Sequence, residues 1–461
     1  MIKLKQVAPF IVLVAIALAA IFVKPADIFA DPDKVYSGAD TAWILVATAL
    51  VFLMTPGLAF FYGGMVHRKN VLSTMMKSVV AAGVVGVIWI VVGYSLCFGS
   101  SIGGFVGNPM THFLYKDVVS GAPWSLAPTI PKSLFSMFQL MFAIITPGLV
   151  VGAIAERMRF TAYILFTVLF SLLVYAPLAH WSWHPDGFLF KMGALDFAGG
   201  TVVHISAGCA ALAGALVLKP RKSWFISKET VPSNIPYVLI GTGLLWFGWF
   251  GFNAGSALGA NGLAVSAFST TNTAAAAAGL SWMFFEVLKG KKPSVVGFCI
   301  GAVVGLVAIT PAAGFVAVPQ SIFIGVIAAL ISNFAVTLKA KTKLDDTLDV
   351  FPCHGIGGMV GMLMTGIFAT KTVNSAGADG LFYGNAAFFF IQLKAMLIAV
   401  GYSFAVSFII FKFINFIVPL RVSEADELEG LDASQHDEKY MQGHLIVSSN
   451  GTVTTNEAAH L

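Results

Sequence analysis

The chain has 461 residues, of which 57% are hydrophobic and 11% charged, and its mean hydropathy is +0.85. Soluble domains carry about 45–50% apolar and about 25% charged residues. So few charges cannot cover a water-facing surface, and the composition is that of an integral membrane protein. The net charge of +5 comes from 27 Lys+Arg against 22 Asp+Glu, with no basic block and no aromatic-basic interleave, which argues against nucleic acid as a partner. Cys97, Cys209, Cys299 and Cys353 lie far apart in apolar stretches. Their spacing fits neither a zinc site nor a disulfide framework, and they read as small buried hydrophobes. No nucleophile–base or metal constellation stands out, so no enzymatic chemistry, metal or cofactor is expected.

In chain order, Lys3 and Lys5 precede an apolar run from Val7 to Val23, and a polar stretch follows to Asp40. That is the layout of a signal peptide. Ala30 is a poor cleavage site because Ile28 stands three residues before the cut. Ala39, with Ser37 before it, fits better but lies close to the first span. The alternative is an uncleaved extra helix. Residues 1–39 are thus expected to form a signal peptide and short external segment, 40–419 one membrane domain, and 420–461 an acidic cytoplasmic tail.

Apolar runs long enough to cross about 30 Å of hydrocarbon fall at roughly 41–66, 74–98, 133–155, 160–181, 198–218 and 235–256. Others follow at roughly 263–288, 294–311, 314–338, 350–369 and 386–418. The expected fold class is therefore an all-α polytopic membrane protein with eleven transmembrane helices. Every second loop is basic: His67-Arg68-Lys69, Arg157-Met158-Arg159, then Lys219, Arg221, Lys222 and Lys228. Lys289, Lys291 and Lys292 continue the series, followed by Lys339, Lys341 and Lys343, then Arg421. Positive loops stay in the cytoplasm, which starts the first span outside and leaves the C-terminus inside. The tail holds eight of the 22 acidic residues, and its polar end, around Ser448 to Asn456, is expected to be disordered.

Two stretches share one pattern. Asp196 precedes His204 by eight residues and Gly208 follows four later; Asp346, His354 and Gly358 repeat the spacing. One lies in the fifth run and the other in the tenth. A five-plus-five repeat has an odd number of spans per half, so the halves run in opposite directions and the eleventh helix stands outside the repeat. Inverted repeats place a transport site near the midplane. His204 and His354 are the histidines set within spans away from their ends, and intramembrane ionisable groups mark pathways. Asp196 opens the fifth span and Asp349 the tenth; each binds a cation or, the blander reading, accepts hydrogen bonds from a helix start. Phe138 and Phe142 lie one turn apart in the third span. The sixth carries Trp246, Trp249, Phe252 and Ser256, and Trp183 stands at an outer loop, where a headgroup belt is the alternative. Aromatic faces attract a small cation, and the Ser256 hydroxyl can accept an N–H hydrogen bond.

These residues carry a resemblance. Thr55-Pro-Gly-Leu-Ala-Phe-Phe-Tyr-Gly-Gly64, Gly152-Ala-Ile-Ala-Glu-Arg157, the stretch from Ala194 to His204 and Gly248-Trp-Phe-Gly-Phe-Asn-Ala-Gly-Ser256 are similar to motifs of the ammonium transporter family (Amt/Mep/Rh). Asp349-Val-Phe-Pro-Cys-His354-Gly and the tail from Leu420 to Asp432 also resemble it, and the bacterial Amt branch fits best. The resemblance implies a homotrimer of eleven-helix protomers, each with its own pore. It implies an outer ammonium site at Phe142, Trp183 and Ser256, with Phe138 nearby. Phe142 and Phe252 would be the stacked phenyl gate, Trp249 a pore-lining indole, His204 and His354 the twin pore histidines, and Asp196 an essential structural carboxylate. Arg421, Gly430 and Asp432 match the family's ordered tail. The implied function is electrogenic ammonium uptake, with a trimeric PII signalling protein as cytoplasmic partner; an ammonium sensor and a passive ammonia channel are the alternatives. Pro147 and Pro352 are departures from the family pattern, and each removes a backbone donor.

Overall fold

The computed structural model describes residues 4–24, 36–225, 231–440, 444–447 and 453–456. A helical segment stands at each of the eleven expected runs: Gly38–Met65, Arg68–Phe98, Lys132–Ile154, Phe160–Lys191, Gly200–Leu218, Ile235–Gly255, Gly262–Leu288, Val295–Ile309, Val318–Ala340, Phe351–Phe368 and Ala386–Ile417. Among the described residues, nine of these are long and apolar enough to cross a membrane. Val295–Ile309 is shorter, and Gly262–Leu288 dilutes its apolar residues with Ser, Thr and Asn.

Polar side chains start several of these helices by accepting hydrogen bonds from first-turn N–H groups that have no helical partner. Ser37 accepts from Asp40, Asn234 from Tyr237, Asn261 from Ala264, Ser294 from Gly297 and Asn385 from Phe388. Inside the bundle small residues set the spacing. A Cβ on Gly241 would lie 2.3 Å from the Phe61 backbone nitrogen, so the first and sixth spans pack backbone against backbone. The helix Leu4–Ile21 stands apart from this core, with Phe10 66% and Ile21 73% exposed. Ala39 lies in the first turn of the first span, just after its cap Ser37; Ala30 lies outside the described residues.

The basic loops gather on the face that carries the C-terminal segment. Arg157 is fully buried and donates to the Ala153, Ala155 and Asp345 carbonyls and to the Thr347 hydroxyl. Arg221 bonds both carboxylate oxygens of Asp345 at 2.8 and 2.9 Å and reaches Glu156 at 2.7 Å. The tail is pinned to the same loops. Arg421 pairs with Glu427 at 2.6 Å, Asn70 accepts from the Leu431 N–H, and Asp432 accepts from the Leu72 and Ser73 N–H groups at the start of the second span. Lys228 lies outside the described residues. The end of the chain differs from its expected disorder: His444–Val447 pairs antiparallel with Val453–Asn456. Both segments carry β-branched residues and flank Asn450-Gly451 in the sequence, a pair favoured in hairpins; residues 448–452 themselves lie outside the described residues.

Burial by itself would raise the Asp345 carboxyl, but Arg157 and Arg221 outweigh it and hold it below the usual range. A depressed carboxyl stabilises the fold above its ordinary pKa of about 3.9, and that contribution is lost as pH falls through the lower folded value. Asp345→Asn leaves Arg221 buried against half its partners. A cost of about 3–5 kcal/mol is expected, read as a lower thermal midpoint in detergent. Breaking the exposed Lys222–Glu424 pair should leave the midpoint unchanged.

Candidate functional site

Each half of the repeat begins its fifth span in the same way. Asp196 accepts hydrogen bonds from the N–H groups of Gly199 and Gly200 on one oxygen, at 2.8 and 2.6 Å, and from that of Thr201 on the other, at 2.8 Å. The Thr201 hydroxyl donates to it too. Gly199 sits at φ +117°, a backbone conformation open to glycine and costly for other residues. The carboxylate thus starts a helix in the middle of the protein, and the span begins with a widened π-helical turn, Gly200–Ile205, that carries His204.

In the second half Asp346 takes this role, accepting from Val350 at 3.0 Å and Phe351 at 2.7 Å ahead of the π-helical turn Phe351–Ile356 that carries His354. Asp349, expected to open the tenth span, instead has φ +58° and pairs with Lys339 at 2.6 Å. The reversed backbone at Asp349 brings the earlier carboxylate over the helix start. Pro352 falls in the first turn, where its missing N–H has no helical role. Pro147 is accommodated inside the third span, Lys132–Ile154.

The glycines of the motif explain their spacing. A Cβ on Gly208 would lie 2.2 Å from the Gly355 nitrogen, beside His354, and one on Gly358 would lie 3.1 Å from the His204 Cβ. Each half therefore supplies the gap that receives the other half's histidine. The rings meet with Nδ1 atoms 3.4 Å apart and planes inclined at 30°. A hydrogen bond across that separation needs one Nδ1 to donate and the other to accept, which couples the tautomers of the two rings. His204 Nε2 is buried with no hydrogen-bond partner among the described residues.

Next to the pair, the Trp249 ring stacks on His204 at 5.3 Å, and its N–H donates to the Thr310 hydroxyl at 2.9 Å. Phe252 lies 6.0 Å from His204 and 4.2 Å from Phe142. Phe142 in turn meets Phe138 at 5.0 Å and Trp183 at 5.9 Å, both edge to face. The Trp183 N–H donates to the Asp196 carbonyl at 3.0 Å, so the capping carboxylate's backbone also positions this indole. The Ser256 hydroxyl donates to the Phe252 carbonyl at 2.8 Å, which leaves its oxygen free to accept. Trp183 and Ser256 are part-exposed, whereas Phe142, Phe252, His204 and His354 are buried. The sequence-predicted residues therefore form a series from a part-open aromatic mouth, through a closed phenyl pair, to the histidines.

A cavity continues beyond the phenyl pair, lined by Phe252, Trp249, His204, His354, Val203, Met54, Leu58, Phe61, Ile145, Leu149, Leu245 and Val303. The aliphatic lining and Thr310 are contributions that sequence reasoning missed. They sit on helices apolar on all sides, and the quoted stretch Thr55–Gly64 was the available signal for Leu58 and Phe61. Among the described residues no group of three or more His, Cys, Asp or Glu is arranged to hold a metal. The chamber offers an apolar wall, two imidazoles and no carboxylate, which suits a small neutral molecule that both donates and accepts hydrogen bonds.

Residues 42–441 match the pattern described as Ammonium Transporter Family. The chain is 49% identical over 410 residues to the ammonium transporter of Bacillus subtilis, covering 88% of this chain and 99% of that one. It is 51% identical over 402 residues to that of Aquifex aeolicus, covering 87% and 92%. The crystal structure of Candida albicans Mep2 superimposes with a TM-score of 0.81 at 38% identity, over 87% of this chain and 90% of that chain. The pattern's extent and these identities establish that the chain belongs to the ammonium transporter family, a family of transport proteins and not of enzymes.

Proposed function

We propose that this transporter takes up ammonium across the cytoplasmic membrane by stripping its proton at the phenyl pair and conducting ammonia past His204 and His354. The observation that carries the reading is the Nδ1–Nδ1 contact of 3.4 Å between two buried histidines in an otherwise apolar chamber. Transfer of a small cation into a low-dielectric medium has an idealised Born cost on the order of 20 kcal/mol. An apolar chamber opposes any intact cation, and ammonium differs from potassium in being able to leave its charge behind. Trp183, Phe138 and Phe142 offer ring faces at the mouth, and the Ser256 oxygen accepts one N–H bond, so recruitment precedes deprotonation. The histidine pair gives the neutral molecule a donor and an acceptor in turn, and the Nδ1–Nδ1 contact gives the stripped proton a relay.

In this reading proton and ammonia both cross, so uptake is electrogenic and the membrane potential contributes about 2.3 kcal/mol per 100 mV. The basic loops on the tail-bearing face support a cytoplasmic C-terminus, and the run Val7–Val23 supports a signal peptide. Family membership supports a homotrimer and a PII-type partner at that cytoplasmic face. A sensor is the second reading. It is favoured by one likeness: a solved structure titled Sensor Amt Protein, 29% identical with a TM-score of 0.78 over 86% of this chain and 98% of that one.

In liposomes, His204→Leu and His354→Leu are each expected to slow ammonium-driven flux at least tenfold or to admit potassium. Wild-type flux and selectivity in both variants would contradict the proposed route. Asp196 is assigned a positioning role, so Asp196→Asn, which keeps one acceptor, should retain the fold and part of the flux. Asp196→Ala strands buried N–H groups at about 1–3 kcal/mol each and should lower the thermal midpoint sharply. Equal midpoints for Asp196→Ala and wild type, with flux abolished, would instead make Asp196 a cation site.

A further inference from the structure

A second internal cavity lies behind the third span, away from the histidine chamber. Trp89 and Gly93 of the second span, Cys97, Ala143 of the third span, and Ser171 and Tyr175 of the fourth line it. Two of the protein's widened turns, Trp89–Gly93 and Ser171–Tyr175, face each other across it. Widened turns of this kind are rare in helices and frequently mark functional sites.

Its polar groups are short of partners. Ser171 is 6% exposed and Tyr175 1%, and neither the Ser171 Oγ nor the Tyr175 Oη has a hydrogen-bond partner among the described residues. Pro147 has no N–H to bond the Ala143 carbonyl across the next turn. The Trp89 N–H is turned away and donates to the Ser136 hydroxyl at 3.0 Å, so it does not satisfy them. Buried hydroxyls without partners are costly. The rest of the wall is largely apolar, including Val85, Ile88 and Ala176, and buried polar groups left without protein partners are where an internal solvent molecule binds, making about three hydrogen bonds.

We propose that this cavity is a binding site for one neutral, solvent-sized molecule that both donates and accepts hydrogen bonds, water or ammonia, held by Ser171 and Tyr175. The site is separate from the conduction chamber and does not rest on the histidine route. Because Ala143 adjoins Phe142, an occupant also braces the rung of the third span that carries the phenyl gate.

The test is a density map of the full-length protein at a resolution that reveals ordered solvent, prepared with and without ammonium. A peak within hydrogen-bond reach of the Ser171 Oγ and Tyr175 Oη in both preparations identifies water; a peak only with ammonium identifies ammonia. No peak in either, with the hydroxyls turned onto backbone carbonyls, would overturn the site. Tyr175→Phe and Ser171→Ala supply an independent readout. Removing a partner of a bound molecule shifts the thermal midpoint down, whereas removing an unpartnered hydroxyl leaves it unchanged or raises it. A downward shift in either variant is expected, and none in both would count against the site.

Discussion

The crossing of the two histidine-bearing spans depends on a backbone approach that leaves no room for a side chain. Gly208 lies against Gly355, where a Cβ would stand 2.2 Å from a backbone nitrogen, and Gly358 lies against the His204 Cβ. In lipid no hydrophobic force drives helices together, and close packing of small residues takes its place. The geometry of the histidine pair follows from that contact. It sets the distance between the imidazoles, whose Nδ1 atoms stand 3.4 Å apart. The Trp249 and Phe252 rings of the sixth span lie beside the His204 ring at 5.3 and 6.0 Å.

Starting a helix in the middle of such a protein leaves its first N–H groups without helical partners. The structure meets that need twice with one device, a carboxylate that starts a helix. Asp196 and Asp346 take up the N–H groups at the heads of their spans, and each widened turn then aims its histidine inward. Asp196 serves a second purpose, since its carbonyl holds the Trp183 indole at the mouth. Trp183 in turn meets Phe142 of the phenyl pair. On the tail-bearing face the same economy recurs: Asp345 serves both Arg157, through its carbonyl, and Arg221, through its carboxylate.

Much of this was legible in the sequence because membrane spans are long and their interruptions few. The eleven runs could be placed from apolar length alone, and His204 and His354 stood out because a repeated ionisable residue in an apolar run is rare. Phe142, Phe252, Trp249 and Trp183 were found as aromatic residues near those runs, and they do meet in one series. The chamber's aliphatic wall was not legible. Met54, Leu58 and Val303 lie on helices without a polar face, so periodicity does not reveal which side faces the cavity. The repeated spacing pointed to Asp346 as the counterpart of Asp196, but not to the positive φ that turns Asp349 away to Lys339. The tail's attachment through Leu431 and Asp432 is a contact between residues some 360 positions apart, beyond the reach of any local pattern.

The central claim is that an apolar chamber with two imidazoles passes ammonia while rejecting intact cations. It is tested most directly by recording current from proteoliposomes after an ammonium jump, with a potassium jump as control. A saturable inward current with ammonium and none with potassium is the result this account requires. Comparable currents with both ions would contradict it, because potassium has no proton to leave behind.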